Sequence, residues 1–483
     1  MIRIHNSLTG EKEELRPIEP GHIGMYVCGM TVYDYIHVGH ARMLTAFDMV
    51  QRYLRYRGYK VTYVRNITDI DDKIIKRAAE RGVTIDQITD TYIRAQNEDF
   101  AALGLQVPDF EPRATEHVGN IIAMIEQLIA RDYAYVASNG DVMYSVARFA
   151  GYGKLSGKVL ADLRAGARVE VDEAKRDPLD FVLWKSAKPG EPAWPSPWGQ
   201  GRPGWHIECS AMSTDILGLH FDIHGGGMDL KFPHHENEIA QTCGATGAKF
   251  VNIWMHNGFV SVDNEKMSKS LGNFFTVRDV LPRLRHPEVL RYFLLASHYR
   301  GPINYSTEPL EQADIQLNRI YTALRGLPVP PVPRPRTAHT ERFIEVMDDD
   351  FNTPEAFAVL QMMTREINTA RDAKKDQKAA LLGAELRALA GVLAVGQLDP
   401  EQWFRLPRAG QPVPGDAVTI ADADTATVNR LLADAEVDEK VRQRSAARAA
   451  KNWAESDRLR DELAAAGVIV EDMPGGRATW RRK

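Results

Sequence analysis

The sequence predicts an α/β protein whose open parallel sheet is interrupted by an inserted α+β segment and followed by a helical region and a small C-terminal domain. Three observations carry this reading. First, residues 23–28 (IGMYVC) form a short apolar run ending at Gly29, a helical pattern with Met43, Phe47, Val50 and Leu54 on one face follows, and residues 60–67 (KVTYVRNI) are strand-like again. Strand, loop, helix, strand is the signature of a parallel βαβ unit, and it places Cys28 at the carboxyl end of a strand, where open α/β sheets bind ligands. Second, residues 133–146 (YAYVASNGDVMYSV) set Asn139-Gly140 between apolar runs, a hairpin signal foreign to a parallel sheet. Third, from Pro309 onward the pattern is helical.

A chain of 483 residues with 44% hydrophobic residues has room for about three domains with ordinary cores. The net charge of −5 neither predicts nor excludes a nucleic-acid partner, which local patches decide. Three scattered cysteines argue against a disulfide framework and for a reducing compartment. The N-terminal stretch lacks the apolar core of a signal peptide, and no run approaches the length of a membrane span. The expectation is a cytoplasmic monomer with no membrane partner.

Along the chain, His37-Val38-Gly39-His40 stands at the start of the first helix, where backbone N–H groups and the helix dipole favour an anion such as phosphate. Gly39 allows close approach, and both imidazoles can donate. Thr68-Asp69-Ile70-Asp71-Asp72-Lys73 follows the second strand, with acids suited to a first helical turn. Helical stretches around 89–103 and 113–131 precede the hairpin, and residues 188–204, rich in Pro, Gly and Trp, read as an irregular loop. The sheet resumes at 219–224, leads into Gly225, Gly226 and Gly227, and continues with a strand at 250–256.

Residues 204–238 concentrate metal-ligating chemistry: Cys209, then Pro233-His234-His235-Glu236-Asn237-Glu238. With Pro233 opening a helix, His234 and Glu238 stand four apart on one face and His235 three before Glu238. Imidazole, carboxylate and thiolate are all zinc ligands. A second thiolate would come from Cys28 or Cys243. Lys266-Met267-Ser268-Lys269-Ser270 then offers two point charges to a polyphosphate whose charge rises as a bond breaks. Residues 327–335 and 407–416 read as loose linkers. In the tail, Arg442, Arg444, Arg448, Lys451 and Arg458 mark a basic helix face, and a hairpin around Pro474-Gly475-Gly476 carries Trp480 and the terminal Arg481-Arg482-Lys483.

These motifs occur in a recognisable order. The sequence resembles the cysteinyl-tRNA synthetase family of class I aminoacyl-tRNA synthetases over essentially its whole length. HVGH is similar to the family's HIGH box with Val38 in place of isoleucine, KMSKS is unaltered, and GWHIECSAM and HGGGMDLKFPHHENE resemble its cysteine-specific signatures. The resemblance implies a Rossmann-like catalytic domain (1–115 and 204–265), a connective insertion (116–203), a KMSKS-loop region (266–308), a helical tRNA-binding domain (309–406) and an anticodon-binding domain (417–483). It implies one Zn²⁺ per chain on Cys28, Cys209, His234 and Glu238, leaving Cys243 as a packing residue. It assigns ATP, with Mg²⁺, to His37, Gly39, His40, Lys266, Met267, Ser268 and Lys269, with His37, His40, Lys266 and Lys269 as the catalytic set. Gly29, Thr68, Trp205, His224 and Asp229 would line the cysteine and adenylate pocket, and Arg442, Arg444, Arg448, Trp480 and Arg481 would meet tRNA.

The implied chemistry is coherent. An apolar pocket discriminates poorly between groups as small as those of cysteine, serine and alanine, whereas a metal separates sulfur from oxygen electronically and favours a thiolate. The reaction implied is attack of the cysteine carboxylate on the α-phosphate of ATP, then transfer to the 2′-hydroxyl of the terminal adenosine of cysteine tRNA. Two alternatives are a ligase that passes the same adenylate to an amino-sugar, and a zinc-stabilised RNA-binding protein without catalysis. The long tail argues against the first, and the intact His37, His40, Lys266 and Lys269 against the second.

Overall fold

Alternating apolar and glycine-terminated runs become strands and helices much as the periodicity requires. The computed structural model describes residues 1–160, 162, 175–267, 273–328, 336–407, 432–473 and 478–483. Ser268, Lys269, most of the linkers at 327–335 and 407–416, and Pro474-Gly475-Gly476 lie outside the described residues, as does the Lys266 side chain. The chain forms two compact units: Met1–Val277 with Leu294–Tyr305 and Glu341–Phe357, and Arg278–Phe293 with Ser306–Thr340 and Ala358–Lys483.

The first unit opens with the antiparallel pair β1 (Arg3–Asn6) and β2 (Glu11–Glu14). Next come β3 (His22–Val27), α1 (Val38–Tyr56) and β4 (Lys60–Arg65), the predicted βαβ unit. Two helices follow, α2 (Asp72–Arg81) and α3 (Ile85–Ala102). The inserted segment supplies α4 (Val118–Ala130) and an antiparallel sheet of β5 (Ala134–Val136), β6 (Val142–Tyr144), β7 (Phe181–Ser186) and β8 (Gly201–Pro203). Asn139-Gly140 lies in the five-residue connection between β5 and β6, with Gly140 at φ 86°.

The main sheet resumes through α5 (Trp205–Leu217), β9 (Phe221–Gly227), α6 (Glu236–Thr246) and β10 (Val251–Asn257). Its order is β10-β9-β3-β4, with all three pairings parallel. The glycine triplet, expected to follow a strand, is part of β9: Gly225, Gly226 and Gly227 lie opposite Met255, His256 and Asn257. The reason is space, since a Cβ on Gly225 would stand 2.2 Å from the Phe47 ring and one on Gly226 2.8 Å from His235. Residues 341–357, read from the sequence as part of the helical region, belong to the first unit. There Asp350 accepts from the His5 amide (2.9 Å) and the Tyr299 hydroxyl (2.7 Å) and pairs with Arg300 (2.7 Å).

The second unit is mainly helical, with Thr307–Leu324, Asp376–Val392 and Pro400–Arg405 preceding the tail. Buried Glu288 ties it internally, accepting from Tyr321 Oη (2.6 Å) and the Gly396 amide (3.1 Å). The tail consists of helices Asp434–Ala449 and Trp453–Ala465 and the antiparallel strands Val468–Asp472 and Ala478–Arg482. Their core is Val437, Val441, Leu463, Val468 and Trp480.

Candidate metal centre and nucleotide site

The chain leaves β3 for β4 on one side, while β9 flanks β3 on the other. Strand order therefore reverses between β3 and β9, and the crevice at their carboxyl ends is where such sheets bind ligands. Cys28 follows β3 directly, and its amide donates to Gly225 O at 3.1 Å. Cys209 comes from the second turn of α5. A π-type turn, Lys231–His235, delivers His234 to the same place, and the first turn of α6 delivers Glu238. The α-helix thus starts at Glu236 rather than at Pro233, yet the four-residue spacing still brings His234 Nε2 to 3.1 Å from Glu238 Oε1.

Cys28 Sγ lies 3.7 Å from Cys209 Sγ, 3.5 Å from His234 Nε2 and 3.5 Å from Glu238 Oε1. Four donors held tetrahedrally at zinc-like bond lengths would stand about 3.8 Å apart for two sulfurs, about 3.5 Å for sulfur and nitrogen or oxygen, and about 3.3 Å for nitrogen and oxygen. The geometry fits. So does the chemistry of the donor set: all four side chains are buried, and such a cluster of acidic groups is unfavourable without a cation. Burial pushes the Cys28 thiol up, with Cys209 and Glu238 adding to it, and burial also raises Glu238. Cys209, hydrogen-bonded by Cys28, is pulled down to about 7.

A second set, Cys28, His224, His235 and Glu238, also meets within ligand range. His224 Nε2 lies 3.1 Å from Glu238 Oε2 and 3.8 Å from Cys28 Sγ, and its ring stacks on Tyr26. His224 is fully buried inside the nest. His235 Nδ1 is hydrogen-bonded to His256 Nε2 at 2.8 Å, and His256 Nδ1 to Ser7 Oγ at 2.8 Å. Burial lowers His206, His224, His235 and His256 and so keeps these rings neutral.

Trp205 stacks on His234 with ring centroids 4.5 Å apart and stays partly exposed, a roof over the nest. Thr68 is buried and bridged to Thr31. The Gly29 amide donates to Asn66 Oδ1 at 2.7 Å. Exposed Asp229 folds its carboxylate toward Gly227, where a Cβ would stand 2.3 Å from Asp229 Oδ1. Partly buried Cys243 packs against the apolar core, as expected of a packing residue.

His37 caps α1. Its Nδ1 accepts from the amides of Gly39 (3.1 Å) and His40 (3.3 Å), and the His37 amide donates to His40 Nδ1 (3.3 Å). Val38 N donates to Phe275 O at 3.1 Å. The amides expected to cradle an anion are therefore committed, and what the helix start offers is the pair of imidazoles, stacked 3.6 Å apart. Burial, with His37 and Lys73 nearby, holds His40 neutral. The two nucleotide signatures meet here. A Cβ on Gly39 would lie 3.5 Å from the Met267 methyl, and Thr276 bridges to His37. The Lys266 backbone pairs with Ser261.

The tail requires a correction. Trp480, expected to stack on a base, is 1% exposed and donates to Asp438 Oδ1 at 2.7 Å. Arg444 is buried in a bidentate pair with Asp472 (2.7 and 3.1 Å), which also pairs with Arg448, and Arg481 pairs with Glu471 at 2.7 Å. Arg482, likewise buried, anchors on Arg405 O at 2.9 Å. Trp480, Arg444 and Arg482 fold the tail, while Arg448 and Arg481 stay partly exposed. Arg442 remains exposed, with Glu439 as its ion-pair partner. The aromatic the sequence reading missed is Trp453, 58% exposed at the start of its helix beside exposed Lys451. Asn66 was missed as well, although it stands between a strand and Thr68.

A family model described as "tRNA synthetases class I (C) catalytic domain" matches residues 14–315, a "DALR domain" model residues 342–397, and a "Cysteinyl-tRNA ligase anticodon binding domain" model residues 425–481. The solved methionyl-tRNA synthetase of Mycobacterium tuberculosis bound by methionyl-adenylate has a TM-score of 0.55 at 16% identity, covering 77% of this chain and 89% of that one. A LeuRS–tRNA–LeuAMS complex from Agrobacterium radiobacter has a TM-score of 0.55 at 11% identity over 81% and 86%. Sheet, crevice and paired signatures define a class I aminoacyl-tRNA synthetase. Within that class, the cysteine–tRNA ligases of Methylococcus capsulatus and Alkalilimnicola ehrlichii are 61% and 60% identical to it, over the full length of both chains in each case. The chain belongs to the cysteinyl-tRNA synthetase family, and its reaction is the activation of cysteine and its transfer to tRNA. Among the described residues, no helix is long and apolar enough to cross a membrane.

Proposed function

We propose that Cys28, Cys209, His234 and Glu238 hold one zinc ion per chain and that this centre selects the substrate. The observation that carries the proposal is the match between the separations of these donors and the edges of a zinc tetrahedron. The rival set substitutes two imidazoles for one thiolate and His234, and two thiolates suit the softer metal better. Bound there, zinc supplies a soft Lewis acid that takes a thiol as thiolate and a hydroxyl far less well.

The chain's own residues do the rest. Trp205 and Thr68 enclose the amino acid, and Gly29 and Asp229 border the adenylate. His37 and His40, stacked on one another, donate to the phosphates of ATP, which enters with Mg²⁺. The cysteine carboxylate attacks the α-phosphate; the bond to the β-phosphate breaks, leaving cysteinyl-adenylate and pyrophosphate. Lys266 and Lys269 stabilise charge building on that leaving group, and Met267 and Ser268 complete the ATP site. The 2′-hydroxyl of the terminal adenosine then displaces AMP.

Residues 1–115 with 204–265 form the catalytic domain, 116–203 the connective insertion and 266–308 the KMSKS-loop region. Residues 309–406 and 417–483 bind the stem and anticodon of cysteine tRNA. Arg442, Arg448 and Lys451 meet phosphates, and Trp453, in place of Trp480, stacks on a base. The protein works in the cytoplasm as a monomer. The test compares the full chain with one ending at Pro407 in cysteine-dependent ATP–pyrophosphate exchange and in tRNA charging. Exchange is expected to survive while charging collapses; equal loss of both would refute this division of labour.

A further inference from the structure

Asn66 follows β4, is 2% exposed, and belongs to none of the motifs that mark the site. Its Oδ1 accepts the Gly29 amide at 2.7 Å, and its Nδ2 donates to Thr68 Oγ1 at 3.2 Å. A backbone amide can only donate, so Gly29 dictates which end of the Asn66 amide faces it. The NH₂ end then faces Thr68, whose oxygen accepts and whose proton is turned elsewhere.

Two further bonds clamp the same segments, Thr68 N to Met30 O (3.3 Å) and Val32 N to Thr68 O (3.2 Å). Gly29 permits the approach, since a Cβ there would stand 1.7 Å from Asn66 O.

We infer that Asn66 is a positioning residue. Through Gly29 on one side and Thr68 on the other, it clasps the end of β4 to the backbone segment that carries Cys28. The clasp holds Cys28 where its sulfur stands 3.7 Å from that of Cys209, the edge a metal needs. This rests on reading the nest as a zinc site. Asn66 acts through Cys28. Partners behind metal ligands typically contribute about 10–100-fold in metal affinity.

The experiment strips the full-length protein of metal and titrates zinc against a chromophoric chelator, with the KM values for ATP and cysteine measured on the reloaded enzyme. Asn66→Ala is expected to bind zinc at least about 10-fold more weakly and to raise the cysteine KM, with the ATP KM unchanged. Thr68→Val, which removes the acceptor that orients the Asn66 amide, should weaken zinc in the same direction. Cys28→Ala is the control and should lose zinc. If Cys28→Ala loses zinc while Asn66→Ala and Thr68→Val bind it as the wild type does, the clasp is wrong. If Cys28→Ala keeps zinc, it is the metal-site reading that falls. Should Asn66→Ala fail to fold by circular dichroism, Thr68→Val decides by the same criterion.

Discussion

Gly29→Ala is a one-carbon perturbation whose effect follows from the backbone. The added Cβ would sit 1.7 Å from Asn66 O and 2.8 Å from its carbonyl carbon, where real Cβ contacts stay beyond 3.0 Å. Neither atom belongs to a flexible side chain, so one of the two segments must move by at least about 1.3 Å merely to clear that limit. Cys28 is the adjacent residue and shares that displacement. Metal sites tolerate errors of about 0.2 Å in ligand position, and a misplacement of about 1 Å at a reacting centre can cost about 10²-fold in rate. Zinc per chain should therefore fall well below one, and cysteine-dependent pyrophosphate exchange should drop by about 10². The assays are atomic emission on the purified protein, exchange kinetics, and circular dichroism for the fold. Gly119→Ala in α4, where a Cβ meets nothing within 4 Å, is the matched control and should leave both readouts unchanged. Full zinc and a near-normal cysteine KM in Gly29→Ala would refute the argument that this close approach holds the site.

Other predictions follow from the same geometry. Lys269→Ala should slow single-turnover adenylate formation by roughly 10² with little change in cysteine binding; normal adenylation with weakened cysteine binding would contradict its transition-state role. Trp480→Ala should destabilise the small C-terminal domain by about 3–5 kcal/mol on thermal unfolding, whereas Trp453→Ala should leave stability alone and weaken tRNA binding. The Arg444 and Arg448 guanidiniums hold the Asp472 carboxylate at about 2. A carboxylate depressed in this way stabilises the fold above its ordinary range near pH 4 and loses that contribution as pH falls toward 2. Because Asp472 is 44% exposed, the contribution is under about 1 kcal/mol. Asp472→Asn should abolish that slope in acid unfolding curves.

The parallel βαβ unit was legible because an amphipathic helix between two apolar runs has few other solutions. The place of Cys28 at the end of β3 followed from it. The glycine triplet misled because glycine ordinarily breaks strands; here Phe47 and His235 occupy the space that side chains would need. Trp480 misled because an aromatic among arginines suggests RNA, but strand alternation held the answer. Trp480 and Arg482 point inward and Arg481 outward, a period of two that composition ignores. The anion cradle at α1 was half legible: spacing placed the two histidines, but only the structure shows that His37 takes the amides for itself. Asn66 was invisible for a different reason. Its role depends on which end of an amide faces Gly29, a matter of three-dimensional approach that no spacing encodes.

The central claim is that two thiolates, His234 and Glu238 hold the selecting metal, and His235 does not. Zinc content of the wild type, His234→Ala and His235→Ala, measured after dialysis against a chelator, tests it most directly. The account predicts one zinc per chain in the wild type, loss in His234→Ala and near-full retention in His235→Ala. Retention in His234→Ala with loss in His235→Ala would place the metal on the set that includes His224 and contradict the assignment.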